Sequence, residues 1–296
     1  MTHNRSDIAT LISLALLGVV LRLPWAWLRP WPWDWDAAYY RLVAKNLASG
    51  SLAGPQSMWT LAAPEAGLGA PADLYWMPLP SWILVPEMWL SGTGLVTIIA
   101  LAAGLGPLTY SLTRSMNLSA PTAFVSGCLA ATGGAWIRQL GTTDVYVLTA
   151  MLGLVGALGV AKNRWVWVAL AIIGLSLTRN DGFLMGFAFA AGLAGWRAVG
   201  VAALGPLTTA LWWARSAWVG GDVFWTLRRA SGSALTYEDI FLGVAQTPSI
   251  GARAFASVQA LWGVGFLWLW APLFLFLPLL VWGAIMIRKT PLMRTW

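Results

Sequence analysis

The chain reads as an all-α, polytopic membrane protein, and three observations carry that reading. Hydrophobic residues make up 58% of the sequence and charged residues only 10%. The mean hydropathy is positive. Apolar runs near the length needed to cross a bilayer recur from one end of the chain to the other. A water-soluble domain of 296 residues would carry many more charges on its surface. The net charge of +7 would point to nucleic acid in a soluble protein. Here it informs topology instead, and no nucleic-acid partner is expected.

The first apolar run, 8–28, is long enough to span, and no small-residue cleavage site follows it, so it reads as a retained signal anchor. The loop 29–75 is rich in Pro, Gly, Ala and Trp, and a loop of that length between spans usually carries function. Within it, Tyr39, Tyr40, Leu42, Val43, Ala44 and Leu47 recur at helical spacing, while Arg41, Lys45 and Ser49 turn the other way. This is the pattern of an interfacial helix that begins after Asp36 and ends at Gly50. Residues 52–72 show no period. Residues 77–90 are apolar but short and broken by Pro78, Pro80 and Pro86, which predicts a re-entrant or half-depth helix.

Beyond Gly94 the expected spans are 95–113, 121–137, 145–161, 165–178, 182–196, 199–219 and 261–287. With the first run that makes about eight. The pieces flanking Arg179, Asn180 and Asp181 are short and suit a tight helical hairpin whose turn dips into the membrane. The simplest division is one integral membrane domain, 1–296, with an external segment at 219–260 and a last transmembrane helix at 261–287. No period of repeat length recurs, which disfavours an inverted-repeat transporter.

Placing the N-terminus in the cytoplasm puts Arg5, Arg114, Lys162, Arg164, Arg197, Arg288, Lys289 and Arg294 inside against one acid, Asp7. That is the positive-inside bias, and it implies an even number of crossings with both termini cytoplasmic. Asp34, Asp36 and Asp144 then share the external side. The 22 Trp residues suit interfacial belts. Cys128 is the single cysteine, so no intrachain disulfide forms. His3, the one histidine, lies in the N-terminal tail, which leaves no His-based triad or zinc site.

Four stretches hold residues with chemical potential. Trp-Pro-Trp-Asp34-Trp-Asp36-Ala-Ala-Tyr-Tyr sets two carboxylates between the first span and the interfacial helix, although an Asp ahead of a helix is also a preferred cap. Trp136-Ile-Arg138-Gln-Leu-Gly-Thr-Thr-Asp144-Val-Tyr146 places a second acid at the external start of the fourth span, where the helix dipole alone would favour it by about 0.3 to 1 kcal/mol. Leu177-Thr-Arg179-Asn-Asp181-Gly182 reads as a turn closed by a structural ion pair, because unpaired charge at membrane depth costs several kcal/mol. Finally, the segment 220–259 holds adjacent Arg228 and Arg229. They suit either anionic headgroups or a phosphate, whose oxygens a guanidinium binds as a bidentate fork.

The pattern Asp36-Ala-Ala-Tyr-Tyr followed by Ala44-Lys-Asn-Leu47 and Gly50, at the exit of a first span, resembles the first external loop of the GT-C membrane glycosyltransferases. That superfamily includes protein O-mannosyltransferases, aminoarabinose transferases and oligosaccharyltransferase catalytic subunits. Arg138 and Asp144 resemble its second external loop, and Arg179-Asn-Asp-Gly182 a turn found in bacterial members. The resemblance covers residues 8–218 as a core module. It implies that Asp36 is the general base, with Ala37 where an acid often follows, so that Asp34 is the candidate second acid. It also implies that Asp144 positions the acceptor or shares a divalent cation, Mg or Mn, with Asp34 or Asp36. Arg138, Arg228 and Arg229 would hold the phosphate of a polyprenyl-linked sugar donor. The absence of a Gly-rich phosphate loop and of a dinucleotide fingerprint agrees with a lipid-borne donor.

Two other readings stand beside the transferase. One is a non-catalytic subunit that keeps the fold as a scaffold with a partner membrane chain. The other is a transporter or flippase of lipid-linked sugars, disfavoured because the acids lie on one face rather than along a midplane path.

Overall fold

The computed structural model describes residues 5–24, 35–50, 55–56, 70–71, 77–132 and 145–220. All belong to the first of two compact units, Met1–Ser233. Asp34, Arg138, Asp144, Arg228, Arg229 and the expected span 261–287 lie outside the described residues.

The described residues form helices joined by turns, with one two-residue antiparallel ladder between β1 (Pro55–Gln56) and β2 (Ala70–Pro71). The helices are α1 (Arg5–Val20), α2 (Trp35–Ala48), α3 (Leu79–Trp82), α4 (Val85–Leu90), α5 (Leu95–Ser115), α6 (Ala120–Thr132), α7 (Val145–Ala161), α8 (Trp165–Ser176), α9 (Leu184–Ala190) and α10 (Trp196–Gly220). The all-helical expectation is met. The segment expected to be an interfacial helix folds as α2, and the chain turns just past it at Gly50, with φ +85°. The proline-broken segment 77–90 becomes two short helices, α3 and α4, each with proline in its first turn, where the missing N–H costs nothing.

α5 is the hub of the described bundle, packing on α1, α6 and α7. Its crossing with α1 and α6 runs through small residues. A Cβ on Gly18 would lie 2.9 Å from the Ala103 Cα, and one on Gly127 would lie 3.0 Å from the Gly106 carbonyl oxygen. The backbones can therefore approach as bulkier side chains would forbid. α7 and α8 form a hairpin, and α10 packs on α8 and α9.

One core joins the buried face of α2 (Tyr39, Tyr40, Val43, Ala44) to Leu84, to Ile98, Ala102 and Leu105 of α5, and to Val145 and Val147 of α7. A second joins Val168, Ile172 and Leu175 of α8 to Phe189 and Val201. The opposite face of α2 carries exposed Lys45 and Ser49, as the spacing predicts. Arg41 differs, because its Nη2 donates to the Gly92 carbonyl at 3.1 Å.

Among the described residues, Leu95–Ser115 is the one helix long and apolar enough by itself to cross a bilayer. Asp7–Val20, Ala120–Thr132, Val145–Ala161 and Trp165–Ser176 are shorter apolar helices. The expected span 182–196 needs correction. Its regular helix, α9, is 7 residues long, about 10 Å at 1.5 Å per residue, and cannot cross. Gly192 and Gly195, the latter at φ +62°, break the chain before α10 begins.

Candidate functional site

α2 is pinned at its far end. The Trp89 indole donates to the Ala48 carbonyl at 2.8 Å, and Arg41 reaches Gly92. The α4 to α5 corner that receives these bonds is held by Glu87, a buried carboxylate. Its Oε1 accepts from the hydroxyls of Ser91 (3.0 Å) and Thr93 (2.8 Å) and from the Val96 N–H (3.1 Å). Its Oε2 accepts from the Thr97 N–H at 2.7 Å. Burial alone would raise the Glu87 pKa, but the bond from the Thr97 N–H, with those from Thr93 and Val96, holds it below the usual carboxylate range. Glu87 thus satisfies the orphan amides that open α5. Sequence reasoning missed it, although a lone acid in a proline-rich apolar run was a usable signal.

These bonds hold α2, which carries Asp36, against the α4 to α5 corner. α2 begins at Trp35, so Asp36 lies in its first turn rather than ahead of it as the capping expectation had it. A carboxylate there is favoured by the exposed N–H groups by about 0.3 to 1 kcal/mol.

The second wall of the site is the turn after α8. The Thr178 and Arg179 amides donate to the Leu175 carbonyl at 3.1 and 3.0 Å, and the Gly182 amide to the Arg179 carbonyl at 3.0 Å. Gly182 is required, since any Cβ there would overlap the Leu175 carbonyl group. The expected ion pair forms as a bidentate fork, with Arg179 Nε donating to Asp181 Oδ1 at 2.8 Å and Nη2 to Oδ2 at 3.1 Å. These hydrogen bonds hold the Asp181 carboxyl below its usual range and raise Arg179. The two side chains are 39% and 59% exposed, so the pair faces an opening instead of filling a core. Asn180 Oδ1 lies 3.5 Å from the Trp213 indole nitrogen on α10. The Leu79 amide donates to the Leu177 carbonyl at 2.9 Å, which sets Met77 against the same turn.

Between the two walls lies a cleft of about 300 Å³. Asp36 and Tyr40 line it from α2, Val145 and Tyr146 from the start of α7, and Met77 from the segment before α3. Thr178, Arg179, Asn180 and Asp181 close it. Asp36, Arg179 and Asp181 are therefore brought together. Asp144 lies outside the described residues, while the two residues after it line the cleft. Asp34, Arg138, Arg228 and Arg229 also lie outside them. Tyr40, Met77, Tyr146, Thr178 and Asn180 were not singled out from the sequence. Both tyrosines fell inside the quoted motifs, where they read as apolar helix positions.

Each Asp181 oxygen accepts a bond from Arg179, so the charge of Asp181 is already paired. Asp36 and Asp181 are thus not an open carboxylate pair for a cation, and the metal expectation rests on Asp144. Among the described residues no group of three or more His, Cys, Asp or Glu side chains could hold a metal ion.

The basic residues gather at the other end of these helices. Lys162 and Arg164 sit in the turn between α7 and α8, and Arg197 opens α10, where Trp165 and Trp196 meet edge to face at 5.6 Å. The cleft lies where α7 begins and α8 ends. No protein-family model, no curated protein and no solved structure matches the chain.

Proposed function

We propose that the protein is an integral membrane glycosyltransferase that takes a sugar from a polyprenyl-phosphate donor on the external face of the cell membrane. The observation that carries the reading is the cleft itself, which gathers Asp36, the Arg179–Asp181 fork and two tyrosines. In this reading the cleft faces outward, and Arg114, Lys162, Arg164 and Arg197 face the cytoplasm.

Membrane embedding is supported by the outward face of α1, where Ile8, Ile12, Leu16 and Val20 are all about half exposed at four-residue spacing. An apolar stripe of that kind is at home against lipid and not against water. Support for polytopic insertion comes also from the run of apolar helices α5 to α8 and from the small-residue crossings at Gly18, Gly106 and Gly127.

Asp36 is then the general base. Its carboxylate takes the proton of an acceptor hydroxyl, the oxygen attacks the anomeric carbon, and the bond to the lipid phosphate breaks with inversion. Arg138, Arg228 and Arg229 are the candidates to neutralise the leaving phosphate. The test is sugar transfer from a polyprenyl-phosphate donor by purified protein in lipid nanodiscs. Wild type should transfer and Asp36→Asn should not. Equal activity in the two would remove Asp36 from the chemistry.

A further inference from the structure

The cleft holds two carboxylates, Asp36 and Asp181, against one guanidinium, Arg179. A phosphate taken up by the remaining N–H donors of Arg179 would have to sit beside both acids in the same cleft. Like charges within a few ångströms disfavour that arrangement. As it stands, the fork is a charge-neutral unit that still has hydrogen-bonding capacity. Arg179 uses two of its five N–H donors on Asp181, and the Asp181 carboxylate, which takes those two bonds and one from its own backbone amide, still has lone-pair capacity for a further donor. The result is a set of remaining donors beside an acceptor, on two cleft-lining side chains that are 39% and 59% exposed. Two hydroxyls on adjacent carbons, each both donor and acceptor, match such a set. Tyr146 lines the same cleft and is 36% exposed, so its ring can offer an apolar face against which the C–H side of a sugar ring packs, while Tyr40 is buried in the core behind it.

We propose that the Arg179–Asp181 fork recognises a vicinal diol on an uncharged sugar ring in this cleft, and so sets which sugar the site accepts. The inference rests on the transferase reading for what becomes of the sugar, but binding can be read without turnover. The backbone of the turn is held by Leu175 and Gly182 independently of the two side chains, so variants of the fork should leave it in place.

The experiment is saturation-transfer NMR of the full chain in nanodiscs with methyl α-mannopyranoside, methyl α-glucopyranoside, their monodeoxy analogues and inorganic phosphate. For whichever glycoside binds best, wild type should prefer it over the analogue lacking one diol hydroxyl by about tenfold, the scale of one hydrogen bond to a charged group. Asp181→Asn and Arg179→Lys should each reduce that preference to about twofold or less. The proposal is overturned if the preference survives in both variants, if no glycoside binds wild type, or if phosphate binds wild type and loses that binding in Arg179→Lys. Loss of transfer in Asp36→Asn together with unchanged diol preference in the fork variants would sink this inference alone. Diol preference that depends on Asp181, in a protein that transfers from no polyprenyl donor, would sink the transferase reading alone.

Discussion

Gly182 lies directly against the Leu175 carbonyl, so close that a methyl group in place of its hydrogen would occupy the same space. The contact folds residues 178–182 back over the end of α8 and turns Arg179 and Asp181 toward Asp36. Gly182→Ala should therefore force the turn open. The overlap is with backbone, which cannot rotate away as a side chain can, so the cost should reach about 1 to 3 kcal/mol or more. Thermal unfolding followed by tryptophan fluorescence should show a lowered midpoint. An unchanged midpoint would mean that the turn is not wound over Leu175.

Glu87 gives a pH-dependent prediction. Its carboxyl titrates lower in the folded protein than the usual value of 4.5. The stability it supplies is therefore complete above that value and is lost as pH falls through the lower, folded one. Glu87→Gln keeps the shape but loses the charge that four donors converge on, which should cost about 1 to 3 kcal/mol near neutral pH. The gap between the two proteins should narrow on acidification below about pH 4.5. Asp181 is shifted in the same direction, but at 59% exposure its pair is screened and present in both proteins, so it cancels. A gap that stays constant with pH would show that the Glu87 charge does not hold the α4 to α5 corner.

Much of the scaffold was legible because periodicity reports burial. Of the six apolar positions that the helical spacing named on α2, Tyr39, Tyr40, Val43 and Ala44 are buried and Leu42 and Leu47 half-buried, and the chain breaks just past the helix at Gly50. Helix bounds were legible for α5, α7 and α8, whose polar or Gly-containing ends mark where helices stop, although of these only α5 is long and apolar enough by itself to cross a bilayer. They were not legible for 182–196, where the apolar composition continues through two glycines that interrupt the helix. The site was half legible. Asp36 and the Arg179–Asp181 pair were found separately, one from its place at a helix start and the other from the cost of lone charge. Their meeting in one cleft depends on α7 and α8 running antiparallel and on the bond from Leu79 to Leu177, and neither has a local signature. Glu87 was missed for a similar reason, since its partners lie up to ten residues further along the chain.

The topology can be checked by labelling. In a Cys128→Ser background, which removes the single native thiol, a cysteine at Ser231 should react with an impermeant maleimide on intact cells. A cysteine at Thr290 should react only after the membrane is opened. The reverse pattern would place the cleft in the cytoplasm and remove the lipid-phosphate donor from consideration.

Asp36 is open to a purely structural reading, and its position in the first turn of α2 sharpens the comparison. If it serves only the helix dipole, both Asp36→Asn and Asp36→Ala lose the charge, and each should cost at most about 0.3 to 1 kcal/mol with sugar transfer untouched. If it is the base, stability changes by the same small amount, but the proton of the acceptor has nowhere to go. Removing a positioned base usually lowers the rate by about a hundredfold to ten-thousandfold. Asp36→Glu separates the two further, because it restores a base and the charge but moves the carboxylate about 1.5 Å along its stem, enough to spoil a near-attack geometry. The expected order of transfer rate is wild type, then Asp36→Glu, then Asp36→Asn level with Asp36→Ala, all four with unfolding midpoints within a few degrees. Transfer by Asp36→Asn at the wild-type rate would leave Asp36 as a helix-terminal charge and move the search for the base to Asp34 and Asp144.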